Sequence, residues 1–262
     1  MKKIILLVFS GLISLTTHSQ KSISSKLGDV SKEELEMMAY ENDTIAGALI
    51  LKEHGNYYLN KKRNYRKTTD YYFKVKILKK KGVDESIVKI RYYDEEKIHD
   101  IKGITYNLLE SGKVQKKHLL EKDVYYKDLG NKWKEAVFTM PDIKEGSVIE
   151  YVYSVTSPYS AIDDWKFQSD IPKLKSDFTA SILGNWQYNV RILGFLKLKR
   201  NDQKIQHDCI DVPGLSSGAC VNLSYGMDTI PAFEEEDYML SPDNYKAKLS
   251  FELALYKSPR GR

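Results

Sequence analysis

Histidine is scarce in this chain, at five residues, and one of them, His18, falls within the first twenty. The sequence contains no His-Glu-x-x-His, no Gly-x-Ser-x-Gly and no glycine-rich phosphate loop. The residues of the common zinc-protease, serine-hydrolase and nucleotide-binding sites are therefore missing. No fixed-period repeat and no Gly/Ser-rich or Pro-rich linker breaks the chain, so no firm internal domain boundary is expected. Charge of one sign is lacking too: 41 Lys and Arg stand against 36 Asp and Glu. That balance argues against nucleic acid as a partner. The basic runs Lys61–Arg63, Lys79–Lys81 and Lys197–Arg200 read as solvated strand ends and turns. No cofactor is expected.

Long apolar runs are absent after the first one. Ile4–Leu15 follows Lys2 and Lys3 and is too short to span a bilayer, which takes ~20 residues. Thr17 and Ser19 supply small residues at a cleavage point. Residues 1–20 read as a secretory signal peptide, cut after Ser19 or Gln20, with no membrane span in the mature form and a periplasmic or secreted product. Only two cysteines occur, Cys209 and Cys220. In an exported chain such a pair reads first as a disulfide, closing a loop that holds Pro213-Gly214 and Ser216-Ser217-Gly218.

What the chain has in excess is tyrosine, nineteen against eight phenylalanines. With many Val, Ile and Thr, this leans toward half-buried strands. Ser31 and Glu34 form a capping box, so one short helix is expected over roughly Lys32–Glu41, within a leader of residues 21–45. Ala46–Lys52 reads as an apolar run that turns at His54-Gly55-Asn56. In Tyr71–Leu78, Tyr71, Phe73, Val75 and Ile77 share one face while Lys74 and Lys76 share a wet one. Ile87–Tyr93 alternates likewise and is expected to pair with it as a hairpin. Further strands are expected over Asp100–Asn107, Ser176–Leu183, Gln187–Leu196, Ala219–Tyr225 and Lys246–Tyr256. Many short strands with turns between them predict an all-β antiparallel sandwich over residues 46–262.

Phe138–Tyr153 (FTMPDIKEGSVIEYVY) is the clearest strand. Both of its faces are largely apolar, which predicts a central strand covered on both sides. Glu150 interrupts one face. It is expected to have a structural role, paired with a Lys or Arg or exposed; the functional reading is a perturbed acid in a site. The Tyr-Tyr pairs offer outward rings such as Tyr72 and Tyr93, which serve either packing or an aromatic platform for a peptide or glycan. His207-Asp208-Cys209 holds the residue types of a cysteine-nucleophile triad. Consecutive strand residues point to opposite faces, however, so a cysteine-dependent enzyme is the least favoured reading.

Pro141–Tyr153, followed by Asp164–Pro172 (DWKFQSDIP), resembles the domain of unknown function DUF3857, the N-terminal domain of transglutaminase-like proteins of Bacteroidetes. The matching positions are Gly146, Glu150 and Tyr151, then Trp165, Phe167, Gln168 and Pro172. Tyr225–Met239 looks like the closing segment of that domain, and Ser31–Leu35 like its leader. The resemblance implies an exported β-sandwich that precedes a papain-like core with a Cys–His–Asp triad. This chain stops at Arg262, where that core would begin, and no position matches the catalytic residues. The expectation is a truncated or free-standing non-catalytic module. It would support a catalytic domain or bind a peptide or glycan; the alternative is a stand-alone secreted binding protein.

Overall fold

The computed structural model describes residues 26–210 and 218–257. The expected signal peptide, the Pro213–Ser217 turn and the tail after Lys257 lie outside the described residues. The chain is built almost entirely of strands. A short helix α1 (Lys32–Glu36) comes first, then β1 (Ala48–Asn60), β2 (Arg66–Ile77), β3 (Ile87–Tyr93), β4 (Lys97–Leu108), β5 (Val114–His118), β6 (Val124–Gly130) and β7 (Trp133–Thr139). The second half adds β8 (Val148–Ser157), β9 (Trp165–Lys166), β10 (Lys173–Leu183), β11 (Trp186–Leu193), β12 (Arg200–Ile210), β13 (Gly218–Ile230) and β14 (Lys248–Tyr256).

Eight strands form one large sheet in the order β12-β13-β10-β1-β2-β8-β4-β5. Two three-stranded sheets, β11-β14-β9 and β3-β7-β6, lie against it. Pairing is antiparallel except between β1 and β10, which run parallel. The two edge strands of the large sheet, β5 and β12, are almost wholly exposed and rich in charged and polar residues, which discourages further strand addition.

Strand alternation explains the layers. On one face of the large sheet, Ala48, Ile50, Val75, Ile77 and Ile149 meet Val88, Ile90, Ala136 and Phe138 of β3 and β7. Further along that face, Tyr57, Phe178, Ala180, Leu223, Tyr225 and Met227 meet Trp165 of β9 and Leu249 and Phe251 of β14. An aromatic ladder joins these two cores: Tyr71 stacks on Tyr153 at 4.6 Å between ring centres and Phe73 on Tyr151 at 4.8 Å. Tyr71 also stacks on Trp165 at 6.2 Å. β8 sits between β2 and β4 with both faces covered, as the two apolar faces of Phe138–Tyr153 predict.

Four local expectations are corrected. The helix ends at Glu36 because Met37 turns extended (φ −61°, ψ 120°) and the leader then runs across the sheet, although the Ser31–Glu34 capping box forms as expected. His54-Gly55-Asn56 is not a turn but the middle of a 13-residue strand. Gly55 is required there by close packing: a Cβ would lie 2.6 Å from Trp165 Cζ3 and 2.7 Å from Phe178 Cδ2. β2 and β3 do not pair, since β2 lies between β1 and β8 while β3 pairs with β7 in another sheet. A 3-10 segment, Lys80–Ser86, carries the chain between those layers. Finally, the Lys74–Lys76 face is not wet. Lys74 and Lys76 are buried, because the leader packs Leu35, Tyr40 and Ala46 over Leu49, Leu51, Leu78, Ile104 and Val148.

Candidate functional site

Among the described residues polar groups gather in several places, and the first is under the leader. Glu150 of β8 is fully buried. Its carboxyl accepts from the Tyr72 hydroxyl at 2.6 Å, the Tyr106 hydroxyl at 2.7 Å and the Gly28 backbone N–H at 2.7 Å. In all three contacts the carboxyl serves as the acceptor. Burial, and then the bond to Glu150, push the phenols of Tyr72 and Tyr106 upward and keep them protonated. Lys74 lies directly across the β2–β8 ladder from Glu150, yet its ammonium turns to Glu34 of the leader, 3.0 Å away, and to the Asp29 carbonyl. Lys76 donates to the carbonyls of Leu35 and Gly146, each at 2.7 Å. The expected Lys or Arg partner of Glu150 is thus replaced by two tyrosines and a backbone amide. Tyr72 is corrected as a ligand platform: it is 2% exposed and its hydroxyl is committed to Glu150.

The residues of the Trp-x-Phe-Gln-x-x-x-Pro segment serve packing. Trp165 is buried and donates from Nε1 to Ser176 Oγ at 3.0 Å. Ser176 in turn donates to Glu53 at 2.5 Å, and Glu53 is paired with Lys173 at 2.7 Å. This buried chain of bonds ties β9 to the parallel β1–β10 pair. Phe167 is fully buried, and Gln168 accepts from the Ala247 N–H and donates to the Pro231 carbonyl at 3.3 Å each. The Pro172 carbonyl accepts from Ile50 N–H at 3.0 Å. Gly146 has φ +86°, the left-handed region that glycine occupies freely, and its N–H donates to the Ile77 carbonyl. The Tyr151 ring packs against Phe73 and Phe138.

The second place is a groove of about 600 Å³ between an end of the large sheet and the β3-β7-β6 sheet. Tyr92 and Tyr126 form its aromatic wall, with Arg66, Lys97, Glu95 and His99 among the residues that line it. Tyr126 is 62% exposed. Burial and the neighbouring Tyr126 raise the Tyr92 phenol, while burial and then Arg63 depress His99. His99 Nε2 lies 2.9 Å from Thr156 Oγ1. Asp94 holds the rim: it accepts from Lys132 at 3.1 Å and the Tyr159 hydroxyl at 3.0 Å, and both bonds pull its carboxyl below the usual range. Tyr93 points to the other face of β3, edge-on to Trp133 at 5.1 Å and tilted to Tyr159 at 5.9 Å. Trp133 is 46% exposed, so an aromatic cluster flanks the groove. Open rings beside charged groups can stack on a sugar or an apolar side chain and bond its polar edge. The sequence hid this groove because its walls come from β2, β3, β4, β6 and β7. The Tyr-Tyr pairs were its only local signal.

Cys209 and Cys220 are bonded, with Cα atoms 5.7 Å apart. They staple the β12–β13 hairpin, whose ladder slips between Gln206 and Ile210. His207 and Asp208 are exposed on the same strand. Among the described residues, no group of His, Cys, Asp or Glu is placed to hold a metal ion. No helix among them is long and apolar enough to cross a membrane.

Residues 63–208 match the model of the family DUF3857, described as a domain of unknown function of solved structure. No curated protein matches the chain. Among solved structures, one from Parabacteroides distasonis, a protein described provisionally as a protease, is similar with a TM-score of 0.58 at 16% identity. The match covers 79% of this chain and 40% of that one. At such identity the likeness speaks for the fold.

Proposed function

Because the chain belongs to the DUF3857 family, we propose that it is a non-catalytic, exported β-sheet module of the transglutaminase-like type, which supports a catalytic domain or holds a peptide or glycan for one. The observation that carries this reading is how the reactive groups are used. The sulfurs of Cys209 and Cys220 are tied to each other. Glu150 is saturated by Tyr72, Tyr106 and Gly28, and Glu53 by Lys173 and Ser176. Groups bonded in this way hold strands together, and none of these four is left as an activated nucleophile. A disulfide also fits an oxidising compartment. The Parabacteroides distasonis protein, of which the match covers 40%, agrees with a module that sits beside further chain.

The test is an amine-incorporation and casein-hydrolysis assay on the purified chain, run beside titration of native thiols. The expected result is no rate above the heat-treated control and no reactive thiol. A rate that disappears on Cys209→Ala would overturn the proposal. A second reading, a stand-alone binding protein, is favoured by the Tyr92–Tyr126 groove. It expects saturable binding on a glycan or peptide array that weakens on Tyr126→Ala. A flat array from the folded chain would refute it.

A further inference from the structure

The leader covers the large sheet in an unusual chemical manner. A permanent core layer needs only apolar contacts, yet the sheet offers it three buried charged side chains, Lys74, Lys76 and Glu150. Each of them is completed from the leader: Lys74 by the Glu34 carboxylate at 3.0 Å, Lys76 by the Leu35 carbonyl at 2.7 Å and Glu150 by the Gly28 N–H at 2.7 Å. Between these anchors, Leu35 fills an apolar slot made by Leu49, Leu51 and Leu78 with other residues of the cluster. Buried apolar anchors, here Leu35 with Tyr40, flanked by charges that read backbone and side chain, are how a protein surface recognises a peptide. The charges also matter when the leader is off. Water solvates an uncovered ammonium or carboxylate well, so opening such a face costs less than opening a wholly apolar one.

We propose that this face is a peptide-docking site, that its ligand class is an acidic segment carrying a Glu-Leu pair, and that residues 26–44 are its resident occupant. The Glu reads Lys74, the Leu enters the slot, and the backbone meets Lys76 and Glu150. The site is separate from the groove and from the cysteines, so its failure leaves the module reading untouched.

The experiment uses the full chain with a protease site inserted between Thr44 and Ile45, both exposed. The folded protein is cut, the leader is washed off, and a fluorescent synthetic peptide of residues 26–44 is titrated back by anisotropy. Circular dichroism follows the fold of the remaining body. The expected result is a folded body and saturable rebinding. Peptides with Glu34→Ala or Leu35→Ala should bind about tenfold or more weakly, since each loses a buried anchor. A chain carrying Lys74→Met should lose its preference for the Glu34 peptide over the Glu34→Ala peptide. Unfolding of the body when the leader leaves would overturn the proposal. So would a folded body that fails to rebind, or rebinding indifferent to Glu34 and Leu35.

Discussion

Replacing Glu150 by alanine tests the buried acceptor directly. The substitution strands the hydroxyls of Tyr72 and Tyr106, both buried, and the Gly28 N–H, which is only partly buried and can find water. A buried donor without a partner costs about 1–3 kcal/mol, so the two tyrosines set a loss of about 2–6 kcal/mol. For a chain of this size, that lowers Tm by roughly 4–24 °C. Tyr72→Phe alone takes one charge-assisted bond from Glu150 and costs about 1.5–3 kcal/mol. In the double variant the stranded hydroxyl is gone, so the losses should fall short of their sum by about 1–3 kcal/mol. Urea unfolding of the four proteins, followed by circular dichroism, measures the cycle; Tyr106→Phe provides a second one. Additivity to within about 0.5 kcal/mol would refute the bonding scheme. So would a Glu150→Ala loss below about 1 kcal/mol.

Two further outcomes follow from the packing of β1. Gly55→Ala forces a methyl into Trp165 and Phe178, at 2.6 and 2.7 Å from their rings, and should cost about 1–3 kcal/mol with a change in tryptophan fluorescence; an unchanged urea midpoint would contradict the close packing. His54 is buried, and burial depresses its imidazole to about 4, with Asp177 opposing. Between pH 6.5 and about 4 the unfolded chain binds a proton that the folded one refuses. The contribution of His54 is therefore complete above 6.5 and declines as pH falls toward about 4, by up to about 3 kcal/mol. His54→Gln should flatten that acid limb in urea titrations, and an unchanged limb would count against it.

Strand character was legible because it is local. A period of two shows in Tyr71–Ile77, Ile87–Tyr93 and Val148–Tyr153 without reference to any partner, and the capping box of Ser31 and Glu34 spans four residues. The hairpin of Cys209 and Cys220 was legible for the same reason. The family motif was readable as a pattern, though its physical meaning was not. Trp165 and Gln168 are fixed by Ser176, Ala247 and Pro231, which only the fold brings near.

What covers a strand face is a non-local fact, and there the sequence misled. Lys74 and Lys76 have the spacing of a solvated face, and no local rule says that a leader some forty residues earlier will supply Glu34 and two carbonyls to them. Tyr72 looked outward for the same reason. Gly55 looked like a turn because a glycine reports only a missing side chain, and the rings of Trp165 and Phe178 that require it come from distant strands. The groove of Tyr92 and Tyr126 exists only where two sheets meet. The sequence by itself determined that this chain is made of strands and which residues alternate along them, since the pleat is a property of neighbours. The tertiary structure decided which strands pair, which charges are buried and where a groove opens, because those depend on contacts between residues far apart in the chain.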